Sequence, residues 1–158
     1  IGYVQSGSIN KHDNALILPA NESGVVRSLQ VMDDDVDVAV AGDRVGVALR
    51  NLREEVLHRG CMICHPDSNA LVRHDKSKIK LKTAPFQKRM ISAKDVIHAA
   101  VDLQFVIGRV NAVEGDMIIV DWESPLWIRS QGSPSILISQ LDAIPMRIIG
   151  YVEDIECC

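Results

Sequence analysis

Aromatic residues are scarce in this sequence, at 4% of 158 residues. A core must therefore be filled by Val, Ile, Leu and Ala, and the β-branched members of that set favour strands. With hydrophobic residues at 47%, one medium domain or two small ones can bury such a core. No run of 18 apolar residues is present, which excludes a transmembrane helix. The opening residues do not read as a basic-then-apolar secretory signal. Cysteine is sparse as well. Cys61, Cys64, Cys157 and Cys158 are too few for a disulfide scaffold in a chain this long, so a reducing cytoplasm is the expected location. A net charge of −4 argues against non-specific coating of nucleic acid and leaves room for a local basic patch.

Helical periodicity is missing too. No long stretch repeats apolar residues at i, i+3, i+4 and i+7. Short runs with alternating faces, bounded by Gly, Pro, Asn and Asp, recur instead. They include Ala15–Leu18, Val25–Val31, Val38–Val40, Val45–Leu49, Cys61–Cys64, Lys76–Lys82 and Leu103–Val110. The pattern predicts an all-β protein of two consecutive small antiparallel β-barrels, one over residues 1–67 and one over 75–156. The polar stretch 65–75 reads as the linker. Asp33, Asp34, Asp35 and Asp37 read as an acidic loop, and 125–135 as a loop-rich segment. The chain opens on Ile1-Gly2-Tyr3-Val4, inside a strand pattern and without Met. It is read as part of a longer protein whose first barrel lacks its opening strand. An exposed edge there predicts a dimer or strand exchange.

The most informative stretch is Ala41-Gly42-Asp43-Arg44-Val45-Gly46-Val47-Ala48-Leu49. Gly42 supplies a turn with φ > 0, and Asp43 can hydrogen-bond the backbone of its own turn. Val45, Val47 and Leu49 fall on one face at period 2, and Gly46 suggests close backbone approach on the other.

Several motifs resemble chemistry that the rest of the chain does not support. Asn10-Lys11-His12-Asp13 spells the guanine-reading signature of GTPases, yet no Gly-x4-Gly-Lys-Ser/Thr phosphate loop accompanies it. A polar turn between strands is the better reading. Cys61-Met62-Ile63-Cys64-His65 matches a haem attachment motif. On a strand, however, residues three apart point to opposite faces, roughly 10 Å apart at about 3.3 Å per residue. Buried structural thiols fit better, and no metal site is expected. The acidic run lacks the Gly and Glu of a calcium loop. No His–carboxylate, Cys–His or Gly-x-Ser-x-Gly arrangement nominates catalytic residues. Lys76, Lys78, Lys80 and Lys82 share one strand face, opposed only by Asp75 within 73–89. They form either a nucleic-acid backbone contact or a solvated face that discourages edge aggregation. Trp122 and Trp127 are expected to cover the second core.

Two runs, Gly24-Val25-Val26-Arg27-Ser28-Leu29-Gln30 and Ala41 to Leu49, resemble the second domain of translation GTPases of the elongation factor Tu type. Gly2 to Asp13 fits that domain's first strand and turn, with His12 where Gly is usual. Arg59-Gly60-Cys61-Met62-Ile63-Cys64 fits its last strand. The resemblance spans residues 2 to about 67. The remainder is similar, chiefly by position and strand content, to the third domain, and the whole looks like the archaeal selenocysteine-specific (SelB) branch or a paralogue. The resemblance implies binding of the aminoacylated 3′ end of tRNA in the first barrel, at Arg27, Gln30 and Arg44. It also implies tRNA backbone contact in the second barrel, at Lys76, Lys78, Lys80 and Lys82. Gln30 falls where elongation factor Tu has Glu, and Arg44 where it has Asn, so Arg44 favours a negatively charged aminoacyl group. The implied partners are aminoacyl-tRNA, the ribosome and the protein's own N-terminal G domain, with no membrane. GTP and Mg would belong to that G domain, so neither cofactor nor GTPase activity is expected in these residues. The alternative is a protein-interaction scaffold that kept the barrels and lost tRNA binding.

Overall fold

Alternation of apolar and polar residues builds fourteen strands in a computed structural model, which describes residues 1–130, 135–144 and 146–158. The chain divides into two units, Ile1–Ser68 and Asn69–Cys158. Among the described residues the one helical element is a short 3-10 turn at Glu54–Val56, and no helix is long and apolar enough to cross a membrane.

The first unit contains β1 (Gly2–Tyr3), β2 (Ser8–Asn10), β3 (Asn14–Leu18), β4 (Glu22–Val31), β5 (Asp34–Val36), β6 (Val38–Val40), β7 (Arg44–Arg50) and β8 (Met62–Cys64). Its main sheet is a half-barrel in the order β1-β7-β4-β3-β8, with β5 paired to β4, and β2 with β6 forms a separate ribbon. All pairings are antiparallel. Ile17, Val26, Leu29 and Val45 face inward, and Ala39 at the middle of β6 is fully buried among them. The ribbon thus helps to cover the sheet's apolar face.

The second unit is a closed barrel of β9 (Leu71–Thr83), β10 (Val96–Val101), β11 (Gln104–Glu114), β12 (Met117–Arg129), β13 (Leu137–Ser139) and β14 (Ile148–Cys157). The strands close in the order β10-β11-β12-β9-β14-β13. Closure leaves no free sheet edge. Ile79, Ile97, Val120, Leu126, Ile138 and Ile149 fill the centre. Trp122 joins that core, as expected. Gly150 permits the tight approach of β14 to β9, because a Cβ there would overlap the backbone carbonyl of Lys82.

The structure departs from the sequence-based expectations in four places. The acidic stretch is not a loop throughout. β5 pairs with β4 through Leu29–Val36 and Val31–Asp34, around a two-residue turn with Met32 and Asp33 at φ 51° and 70°. Positive φ at both central residues is the hairpin geometry that matches strand twist, and Val36 packs on the core. The polar stretch before Lys76 is not all linker, since β9 starts at Leu71 and pairs His74 with Leu126 and Val72 with Ile128. For the same reason 126–129 is strand, not loop, after a register shift between Asp121 and Leu126. The 131–134 part of that expected loop lies outside the described residues. Finally, a Cβ on Gly46 would meet Gln30 at 3.8 Å, ordinary contact, so no close backbone approach requires glycine there.

Candidate nucleic-acid interface

The turn before β7 is fixed by its own side chain. Gly42 adopts φ 99°, and Asp43 Oδ2 accepts the backbone N–H of Val40 at 2.8 Å. The Val4 N–H donates to the Asp43 carbonyl and the Gly42 N–H to the Val4 carbonyl, tying the turn to the start of the chain. Gly42 and Asp43 are therefore structural, as expected, and they set the register of β7.

With Val45 buried and Val47 and Leu49 packed on the core, Arg44, Gly46, Ala48 and Arg50 take the outer face. On β4 a register shift between Val26 and Ser28 makes Arg27 the extra residue of a bulge. Val26 and Leu29 both point inward, so Arg27 and Ser28 between them turn outward, as two residues opposite one require. Ser28 then pairs with Ala48 and Gln30 with Gly46. The resulting outer face has a floor of small residues, Ser28, Gly46 and Ala48, with Arg27, Arg44 and Arg50 around it. Arg53, Arg73, Arg89, Arg109 and Arg129 are the arginines held in ion pairs among the described residues; those three are not. Gln30 is different. Its amide donates to Asp35 Oδ1 at 3.0 Å, which puts a carboxylate from β5 at one margin of the same face.

Arg27, Gln30 and Arg44 are thus all exposed on one sheet face. Arg50 belongs to it as well and was not nominated from sequence. The signal was available, since Arg50 continues the outward period of Arg44, Gly46 and Ala48.

The four lysines of β9 also share a face, with Ser77 and Ile79 buried between them. Their surroundings are opposite in kind. Lys76 lies 3.5 Å from Asp121, Lys78 3.8 Å from Glu114, and Lys82 3.8 Å from Glu153. Lys80 lies between Asp116 at 3.6 Å and Glu153 at 3.7 Å. The acids come from β12, β14 and the β11–β12 region, which pair with or flank β9. Nothing local to the lysine run announces them.

The remaining motifs resolve into structure. Asp13 accepts the backbone N–H of Asn10 at 2.8 Å and its side-chain amide at 2.9 Å, and both bonds hold the Asp13 carboxyl below its usual range. The first and last residues of the GTPase-like motif are therefore engaged with each other in a turn, with His12 at φ 75°. All four cysteines are free; Cys61 and Cys64 are half-buried and not the buried thiols expected, and Cys64 Sγ lies 3.6 Å from the Leu16 carbonyl. No group of metal-ligating side chains occurs among the described residues. Among the described residues a buried polar chain runs from Trp122 Nε1–H to Ser77 Oγ at 2.9 Å, with His74 Nδ1 3.2 Å from the same oxygen. Burial pushes the His74 pKa down. With no carboxylate in the chain, it is a core network and not a catalytic one.

Over residues 1–64 the chain matches the family described as Elongation factor Tu domain 2. That match spans most of the first unit. The elongation factor Tu domain 2 match covers the half-barrel and its arginine-bearing face. Across both units the chain is 31% identical, over 98% of its length, to the selenocysteine-specific elongation factor of Methanocaldococcus jannaschii, and it spans 37% of that relative. Elongation factor 1-alpha of Methanospirillum hungatei is 33% identical over 38% of the chain, which covers 14% of that protein. Among solved structures, apo translation elongation factor SelB from Methanococcus maripaludis superposes with a TM-score of 0.76 at 24% identity. That likeness covers 97% of this chain and 39% of the other, and it shows a shared fold. The same factor in complex with the GTP analogue GppNHp gives a TM-score of 0.77 at 24% identity, over 97% of this chain and 38% of that one. The chain therefore carries elongation-factor-like domains similar to those of SelB-type translation factors.

Proposed function

We propose that these domains dock the aminoacylated 3′ end of a tRNA for a SelB-type translation elongation factor. The observation that carries the reading is the outer face of β4 and β7. Three arginines without an ion-pair partner among the described residues surround a floor of Ser28, Gly46 and Ala48, small enough to admit a ribose or a base edge. Arginine suits this task because its planar fork grips phosphate or carboxylate with two parallel hydrogen bonds. Arg44 favours an anionic aminoacyl group, while Asp35 at the margin supplies a carboxylate for an ammonium. GTP hydrolysis in the parent factor belongs to a separate G domain, and the ribosome is that factor's site of action in the cytoplasm.

The lysine row supports a different role. Four cations facing Asp121, Glu114, Asp116 and Glu153 present little net field to a phosphate backbone. In this reading the lysines stabilise the barrel, and the arginine face provides the tRNA contact.

The test is binding of aminoacyl-tRNA to the 158-residue chain across a salt series. Binding that weakens at least tenfold in Arg44→Ala, with a smaller salt slope, supports the reading. Unchanged binding, or equal affinity for a protein-only ligand with none for tRNA, supports the interaction-scaffold alternative.

A further inference from the structure

One end of the second barrel carries exposed apolar side chains that neither the core nor the proposed tRNA face uses. Phe86 is 72% exposed and Met90 85%, both in the β9–β10 connection. Leu141 is 49% exposed, Ile144 85% and Met146 36%, all in the β13–β14 connection. The two connections are tied together. Gln87 Nε2 donates to the Met146 carbonyl at 3.2 Å, and Arg89 donates to Asp142 at 2.8 Å and to Asp95 at 3.4 Å. The Ala84 N–H donates to the Ile149 carbonyl at 2.6 Å, which anchors the base of the first connection on β14. These bonds hold the apolar side chains at one end of the barrel in a preformed arrangement.

In these two connections four cations, Lys88, Arg89, Lys94 and Arg147, stand against two acids, Asp95 and Asp142. Asp95 and Asp142 are both engaged by Arg89. Lys88, Lys94 and Arg147 have no ion-pair partner among the described residues, whereas the whole chain carries −4. An apolar surface with a cationic rim on an otherwise acidic protein selects an apolar, anionic partner. The five side chains expose roughly 600 Å² at ordinary residue areas, below the about 800 Å² per side of a standard interface between globular proteins. The area suits a short segment better than a whole folded partner.

We propose that the described residues of the β9–β10 and β13–β14 connections form a docking site for a short acidic amphipathic segment of a partner protein. Its apolar face covers Phe86, Met90 and Ile144, and its carboxylates face Lys88, Lys94 and Arg147. The site uses none of the residues of the first unit's arginine face.

The test follows methyl and amide resonances of the 158-residue chain during titration with a synthetic helical peptide that carries Leu and Phe on one face and Glu on the other. Controls are the same peptide with Lys replacing Glu, anionic phosphatidylserine vesicles, and oligouridine RNA. The expected result is perturbation centred on Leu141, Ile144, Met90 and Met146, with a Kd on the order of 10 μM. Phe86→Ser with Ile144→Ser is expected to weaken binding about tenfold without moving the melting temperature, because both side chains are exposed. Lys88→Glu with Lys94→Glu is expected to weaken binding and flatten its salt dependence. Perturbation elsewhere, or equal binding of the Lys peptide, overturns the proposal. So does movement of the same resonances by vesicles or RNA but not by the Glu peptide. The mapping uses the unaltered chain, so it stands even if a variant misfolds.

Discussion

Two positively charged faces of this molecule differ in what surrounds them. On β9 four lysines stand at alternate positions, the pattern most easily noticed in the sequence, and every one has a carboxylate within 4 Å. On β4 and β7 three arginines are scattered over 24 positions of sequence, at 27, 44 and 50, and form no ion pair among the described residues. The difference teaches that a row of like charges along one strand says little about the field it makes. A strand's neighbours lie about 4.8 Å away on each side, closer than its own next outward residue but one. The charge on those neighbours decides whether the row attracts phosphate or is neutralised.

The contrast can be broken from either side. The largest effect is expected from Gly150→Ala. The new methyl meets the Lys82 backbone, so β14 must shift from β9, at a cost of about 3 kcal/mol to the second barrel. Urea unfolding is expected to report that loss, while aminoacyl-tRNA binding at native conditions keeps its dependence on the first unit. Next is Arg27→Glu combined with Arg44→Glu. Affinity for aminoacyl-tRNA is expected to fall about 100-fold at low salt, with unchanged unfolding, because both side chains are exposed. An equal loss in a lysine double variant would remove the distinction between the two faces.

The third effect is a pH dependence confined to the second barrel. His74 is 5% exposed and its pKa is lowered by burial. A base with a lowered folded-state pKa binds fewer protons folded than unfolded. Its contribution is therefore complete above the unfolded value of about 6.5 and is lost as pH falls toward the folded value. Protonation also places a donor where the Ser77 hydroxyl donates, which disturbs the bond that Ser77 accepts from Trp122. Stability measured from pH 7.5 to 5 is expected to decline below about pH 6.5, and His74→Leu is expected to flatten that decline. The smallest effect is Lys78→Glu with Lys80→Glu. Exposed ion pairs contribute about 0–1 kcal/mol each, so a modest loss of stability is expected. The tRNA affinity and its salt slope stay as they were, which a filter-binding salt series checks.

Much of the architecture was legible because strands alternate and turns have their own chemistry. Gly42 and Asp43 announced their turn, and the inward faces of β7 and of β9 from Ser77 onward follow the period of two. The misread segments were those where pairing overrides composition. Arg73 and Asp75 look like linker residues, yet they pair with each other at 2.8 Å on the outside of β9 while His74 between them turns inward. Asp34 and Asp35 look like a solvated loop, yet Val36 draws them into a hairpin on β4. The arginine face was partly legible. Arg27 reaches the outer face only because of a bulge, and no rule of alternation predicts where the extra residue sits.

By itself the sequence determined that this protein is built of strands. A core poor in aromatics has to be made mostly of β-branched and aliphatic side chains, and their alternation sets which face a regular strand buries. The family resemblance came from the same source, through the Gly-Asp turn and the small and apolar residues that follow it. Tertiary structure decided which charges remain available. Asp121, Glu114, Asp116 and Glu153 lie 36 to 73 positions from the lysines they neutralise. Coulomb energy depends on distance in space, and only the folded sheet sets that distance.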